Sequence, residues 1–141
     1  MKLIEYFENV PERTMICMFG DHQPSIEEDF YEEIMGTDNL NNQTISETQK
    51  RYVTPFIIWA NYDIEEENID KLSVNYLSSY LLKVAGLELT SYNKYLLNLS
   101  KELPVVTSIG YIDKDNNYYE NGQKSKYSAL LEDYKKVQYN N

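Results

Sequence analysis

Histidine is the scarcest resource in this chain: His22 stands alone among 141 residues. No second imidazole exists to complete a site around it. Cysteine is equally rare. Cys17 is single, which excludes an internal disulfide, and it lies inside an apolar run, where it reads as a small buried hydrophobe rather than a reactive thiol. Cations are outnumbered, 13 Lys and Arg against 23 Asp and Glu, for a net charge of −10. A phosphate-backbone binder needs a basic face, so nucleic acid is not an expected partner. No apolar run approaches the roughly 18 residues of a membrane span, and Met1-Lys2 opens no signal peptide, so neither anchor nor signal is expected within these residues. No internal repeat or linker divides the sequence. With 42% hydrophobic and 26% charged residues, what remains is one folded domain over residues 1–141.

The chain is organised around residues 13–24, Arg-Thr-Met-Ile-Cys-Met-Phe-Gly-Asp-His-Gln-Pro. Thr14 to Phe19 is a continuous apolar run with a β-branched start, which predicts a strand buried on both faces, as in a parallel sheet. Gly20 ends it, and Asp21 and His22 follow where the chain leaves the sheet. In open α/β sheets ligands bind beyond the carboxyl ends of the strands. An adjacent carboxylate and imidazole there offer one hard oxygen and one borderline nitrogen, a pair suited to a divalent cation such as Zn or Mn. On residue chemistry alone the same pair also reads as a hydrogen-bonded turn, with Asp21 bonding backbone amides and His22 half exposed.

Other elements follow from periodicity and end signals. Leu3, Ile4 and Phe7 predict a short helix stopped before Pro11. Ser25 with Glu28 reads as a capping box for a helix through about Met35, with Ile26, Phe30 and Ile34 on one face. Glu27, Glu28, Asp29, Glu32 and Glu33 then form a solvated face rather than a metal cluster. Residues 36–50 are polar and aperiodic and read as a loop or lid. Phe56 to Trp59 is a second strand, its Trp59 a packing residue, and Asn61, Tyr62 and Asp63 leave its end. Ser73 and Ser91 are candidate caps for two helices, the first ended by Gly86, with their tyrosines at the edges of the core. Pro104 to Ile109 predicts a strand, and Tyr111 to Tyr119 a hairpin turning through Asp113–Asn117. The Asp113 and Asp115 spacing lacks the glycine and glutamate of a calcium loop. Residues 127–137 close the chain as an amphipathic helix.

Phe-Gly-Asp-His-Gln-Pro-Ser (19–25) and Tyr-Val-Thr-Pro-Phe-Ile-Ile-Trp-Ala-Asn-Tyr-Asp (52–63), with Asn-Tyr-Leu-Ser (75–78), Ala-Gly-Leu (85–87) and Leu-Pro-Val-Val (103–106), resemble the C-terminal part of the lipoteichoic acid synthase family. These are sulfatase-like phosphoglycerol transferases of the alkaline phosphatase superfamily. The resemblance implies an α/β fold, mainly a parallel sheet flanked by helices, with the hairpin as a C-terminal arm. It implies that Asp21 and His22 are metal ligands, for manganese or magnesium. It also places the threonine nucleophile, a further acidic ligand and the substrate-binding histidines and arginine upstream of residue 1. The chain is thus expected to be the last third of a catalytic domain, inactive alone, with the upstream part as its partner. A glycerophosphate lipid is the substrate implied for the intact enzyme, on the outer face of the bacterial cell membrane. A sulfatase or phosphodiesterase of the same superfamily is the alternative, although Cys17 is in the wrong context to form formylglycine. A non-catalytic interaction module, prone to self-association through exposed edges, is the remaining reading.

Overall fold

The computed structural model describes residues 2–139. Helix α1 (Lys2–Phe7) leads into strand β1 (Met15–Phe19); α2 (Glu28–Met35), a 3-10 turn (Leu40–Asn42) and α3 (Ile45–Lys50) precede β2 (Phe56–Ala60). Helices α4 (Val74–Val84) and α5 (Ser91–Glu102) follow, then β3 (Val105–Val106), β4 (Gly110–Ile112), β5 (Tyr118–Glu120) and α6 (Ser128–Tyr139). The molecule is a mixed α/β structure with helices around two small sheets.

The expected parallel sheet is not formed among the described residues. β1 pairs with β2 antiparallel, Met15 opposite Ala60 and Phe19 opposite Phe56, and β3–β4–β5 is an antiparallel meander. Apolar runs predicted strands correctly but could not specify direction. Nor are β1 and β2 buried on both faces: Phe19 and Ile57 are exposed, because no helix layer covers that sheet.

The core sits in the second half of the chain. Tyr76, Leu96, Leu99, Leu103, Tyr111, Tyr127 and Tyr134 pack together; of the helix tyrosines expected at the core's edge, Tyr76 lies inside this cluster and Tyr95 against it. Tyr111 stacks on Tyr119 at 4.8 Å, and Tyr127 stands edge-on to both. Into this ring cluster the hairpin inserts the fully buried Asp113 carboxylate. Its Oδ1 accepts from the Asp115 and Asn117 amides at 2.9 Å, and its Oδ2 from the Tyr119 and Tyr127 hydroxyls at 3.1 and 3.3 Å. Burial pushes this carboxyl up, but the bonds from Asn117, Tyr119 and Asp115 outweigh it and hold it at about 2.

Caps differ from expectation in instructive ways. Ser25 caps nothing: α2 begins after Glu27, without a side-chain cap bond. The capping box that does form is Thr44 with Glu47, inside the stretch expected to be a loop, and it builds α3. Its hydrogen bonds from the Thr44 backbone and hydroxyl hold the Glu47 carboxyl below its usual range. Thr90, not Ser91, caps α5, with Asn93 reciprocating and also reaching Ser79 on α4. Ser73 occupies the N-cap position of α4 but spends its hydroxyl on β3, bonding the Val106 carbonyl and amide at 3.0 and 2.9 Å. Gly86 does end α4 as expected, in the left-handed region at φ 70°.

Candidate functional site

The Asp21–His22 turn is anchored on three sides. Gly20 lies so close to Thr54 that a Cβ would sit 2.9 Å from the threonine Cβ, and the Thr54 hydroxyl donates to the Gly20 carbonyl at 2.8 Å. The Gln23 amide donates to the Val53 carbonyl, and the Tyr31 hydroxyl of α2 to the Pro24 carbonyl at 2.8 Å. Arg51 in turn lies over the Tyr31 ring. The backbone of the turn is therefore held by β2's approach and by α2, while both side chains point outward: the His22 side chain is 75% and the Asp21 side chain 81% exposed.

The two side chains approach each other closely. Asp21 Oδ1 accepts the His22 amide at 2.9 Å, as a hydrogen-bonded turn requires. His22 Nδ1 lies 2.7 Å from the Gln23 carbonyl, an oxygen that can only accept, so Nδ1 is the donor there and Nε2 is the nitrogen left to face Asp21. That nitrogen faces Asp21 Oδ2 at 3.5 Å. Two ligands each about 2.1 Å from one cation stand roughly 3–3.5 Å apart, so this pair fits two positions around a divalent ion. A backbone carbonyl on the remote imidazole nitrogen is the usual way a ligating histidine is oriented. Among the described residues no third His, Cys, Asp or Glu joins them, and α2's carboxylates gather into no such group either.

Sequence reasoning left Asn61 without a role, and the structure supplies one. Its side-chain amide donates to the carbonyls of Phe7, Val10 and Glu12 at 2.9–3.1 Å, and its Oδ1 accepts the Thr14 amide at 2.8 Å. Tyr62 stacks under Arg13 at 4.1 Å. The residues after β2 thus clamp the entry to β1 and take no part in the Asp–His turn. Gln23, Tyr31 and Thr54 were missed as anchors; Gln23, inside the Asp-His-Gln-Pro run, and Thr54, inside the 52–63 run, carried a signal. Cys17 is partly buried, and burial pushes its thiol up, away from reactivity.

Asp21 is among the residues lining a broad open concavity, which also include Ser46, Gln49 and Lys50 of α3 and Tyr134 and Gln138 of α6. Among the described residues no helix is long and apolar enough to cross a membrane.

Comparison with known proteins places the turn inside a matched family region. The chain is 24% identical over 140 residues to a putative cyclic beta-1,2-glucan modification protein of Rhizobium meliloti (strain 1021), an alignment covering 97% of this chain and 22% of that protein. It therefore spans about a fifth of that curated relative's length. No solved structure matches it. The sulfatase family model matches residues 1–87, which contain β1, the Asp–His turn, β2 and α4. The chain belongs to the sulfatase family.

Proposed function

We propose that this chain is the part of a metal-dependent phosphoglycerol transferase of the lipoteichoic acid synthase type that contributes Asp21 and His22 to a manganese or magnesium ion. The observation carrying this reading is the 3.5 Å approach of His22 Nε2 to Asp21 Oδ2, with Nδ1 held by the Gln23 carbonyl. The cation, when bound, supplies charge neutralisation at a phosphoryl oxygen. Asp21 and His22 hold it, and Thr54, Gln23 and Tyr31 keep their turn in place. No nucleophile is assigned to residues 1–141; in this reading it comes from the upstream part of the catalytic domain, which also binds the glycerophosphate lipid at the outer membrane face. A carbohydrate hydroxyl as acceptor would match the glucan in the name of the Rhizobium relative.

Two protein ligands are too few for tight binding, since water must fill the other positions. Calorimetric titration of manganese into the chain should therefore give a Kd weaker than about 10 μM, abolished by Asp21→Ala, and tighten when the upstream segment is added. Phosphodiester turnover by the chain alone, or manganese binding indifferent to Asp21→Ala, would overturn it. Comparing sulfate-ester and glycerophosphate substrates with the completed protein separates transferase from sulfatase.

A second reading, a non-catalytic interaction module, is favoured by the apolar side chains left in water on α2 and the β1–β2 sheet, Phe19, Phe30, Ile34 and Ile57. Concentration-dependent sedimentation, with no metal effect, is the result it requires.

A further inference from the structure

Helix α2 is short, acidic and electrostatically uncompensated. Glu28 and Glu32, like Asp29 and Glu33, are like-charged pairs four residues apart, an arrangement that weakens a helix. No basic residue stands in its last turn, where the carbonyl end of a helix favours a cation, and no side-chain cap bond begins it. Among the described residues no ion pair engages any of these four carboxylates. Arg51 does touch the helix, but over the Tyr31 ring, on the side that Tyr31 turns toward Pro24. Past its C-terminal end, Glu32, Glu33, Gly36, Thr37 and Asp38 surround a shallow dent.

The same helix leaves apolar surface in water. Phe30 and Ile34, four residues apart and so on one face, are 50% and 62% exposed. Asp29 and Glu33 each precede one of them by a residue, so a column of carboxylates runs beside the apolar column. That pairing selects among the possible covers. A second copy would bring the carboxylates of α2 against their own kind, with a net charge of −10 on each chain. A bilayer with anionic headgroups is repelled for the same reason. A cationic amphipathic helix suits both columns. Its apolar side chains, four apart, cover Phe30 and Ile34, and Lys or Arg beside them meets Asp29 and Glu33. A further cation can enter the dent at Gly36, where the helix terminus adds its own negative end.

We propose that the outer face of α2 is a docking surface for a basic amphipathic helix of a partner polypeptide, seated on Phe30 and Ile34 and paired with Asp29 and Glu33. It names a partner for the exposed apolar surface on which the interaction-module reading rests, and it needs no metal. The probe is a synthetic amphipathic helix of Leu and Lys, two heptads long, with the same peptide carrying Glu for Lys as comparator. It is titrated into the 15N-labelled chain while the backbone amides of α2 are followed. The expected result is a saturable shift of those amides with a Kd of roughly 10–100 μM. Phe30→Gln with Ile34→Gln weakens it at least about tenfold, and Asp29→Asn with Glu33→Gln about fivefold. Glu65→Gln with Glu66→Gln, which removes the same charge from an exposed stretch elsewhere, leaves it unchanged. No saturable shift, an equal response to the Glu peptide, or equal weakening by the Glu65 and Glu66 pair overturns the proposal. So do α2 shifts that follow the chain's own concentration or phosphatidylcholine vesicles and not the peptide, which assign the face to a second copy or to a membrane. Sedimentation of the chain alone and the manganese titration are separate measurements, so the readings fall separately.

Discussion

Residues 2–60 and 73–139 are built from similar amino acids and solve burial differently. Among the described residues of the first stretch Gln49 alone is buried, and Leu3, Tyr6, Phe19, Phe30, Ile34 and Ile57 face water. In the second, seven residues close into a continuous core with a satisfied carboxylate inside it. The difference is one of partners rather than hydrophobicity. α4 and α5 lie against each other and the meander closes over them, whereas α2 and the β1–β2 pair have nothing on their outer faces. The Asp–His turn sits in the open stretch, held locally by hydrogen bonds in place of a core. A turn organised this way keeps its backbone geometry but has no dry surround of its own among the described residues.

The comparison can be broken at Asp113. Replacing it by Ala strands two amides and two tyrosine hydroxyls, and should cost about 3 kcal/mol or more of stability in urea unfolding; a loss below about 1 kcal/mol would mean the second half is not held as described. Acid should act through the same group. Its folded value, about 2, lies below the ordinary 3.8, so its contribution is complete above pH ~4 and disappears as pH falls toward 2. The wild type should therefore lose stability across that window, and Asp113→Asn should flatten the slope.

Hydrogen exchange sharpens the contrast without mutation. Amides of Tyr76, Leu96, Leu99 and Tyr111 should exchange only on global unfolding, and those of α2 orders of magnitude faster. Equal protection in both stretches would show that the first half is covered in solution. Smaller effects come from caps: Thr44→Ala should cost about 1 kcal/mol, felt as faster exchange in α3, while Ser25→Ala should cost at most a few tenths. Smallest of all, Asp21→Ala and His22→Ala should leave the unfolding midpoint within about 0.5 kcal/mol, because both side chains lie in water.

Much of this was legible beforehand. Met15–Phe19, Phe56–Ala60, the hairpin and the final helix follow from period and turn chemistry, and so does the position of Asp21 and His22 just beyond a strand end. Sheet direction was not, because pairing is a property of two distant segments, and both runs are apolar enough for either arrangement. Capping was ambiguous for a related reason. Ser25-x-x-Glu28 and Thr44-x-x-Glu47 spell the same box, but α2 begins only at Glu28, too late for Ser25 to cap it, whereas α3 begins directly after Thr44. The roles of Asn61 and Asp113 were hidden because each depends on several donors or acceptors that converge only after folding.

The antiparallel joining of β1 to β2, fastened at its far end by Asn61, turns residues 20–55 into an excursion whose two ends are fixed beside each other. Lengthening such a loop costs little, about 0.6 kcal/mol for each doubling. The segment carrying α2 and α3 can therefore be enlarged, trimmed or replaced without moving the strand ends it departs from. Asp21 and His22 sit at the departure point. The turn is thus a fixed doorstep, and the structure that departs from it is free to be rebuilt.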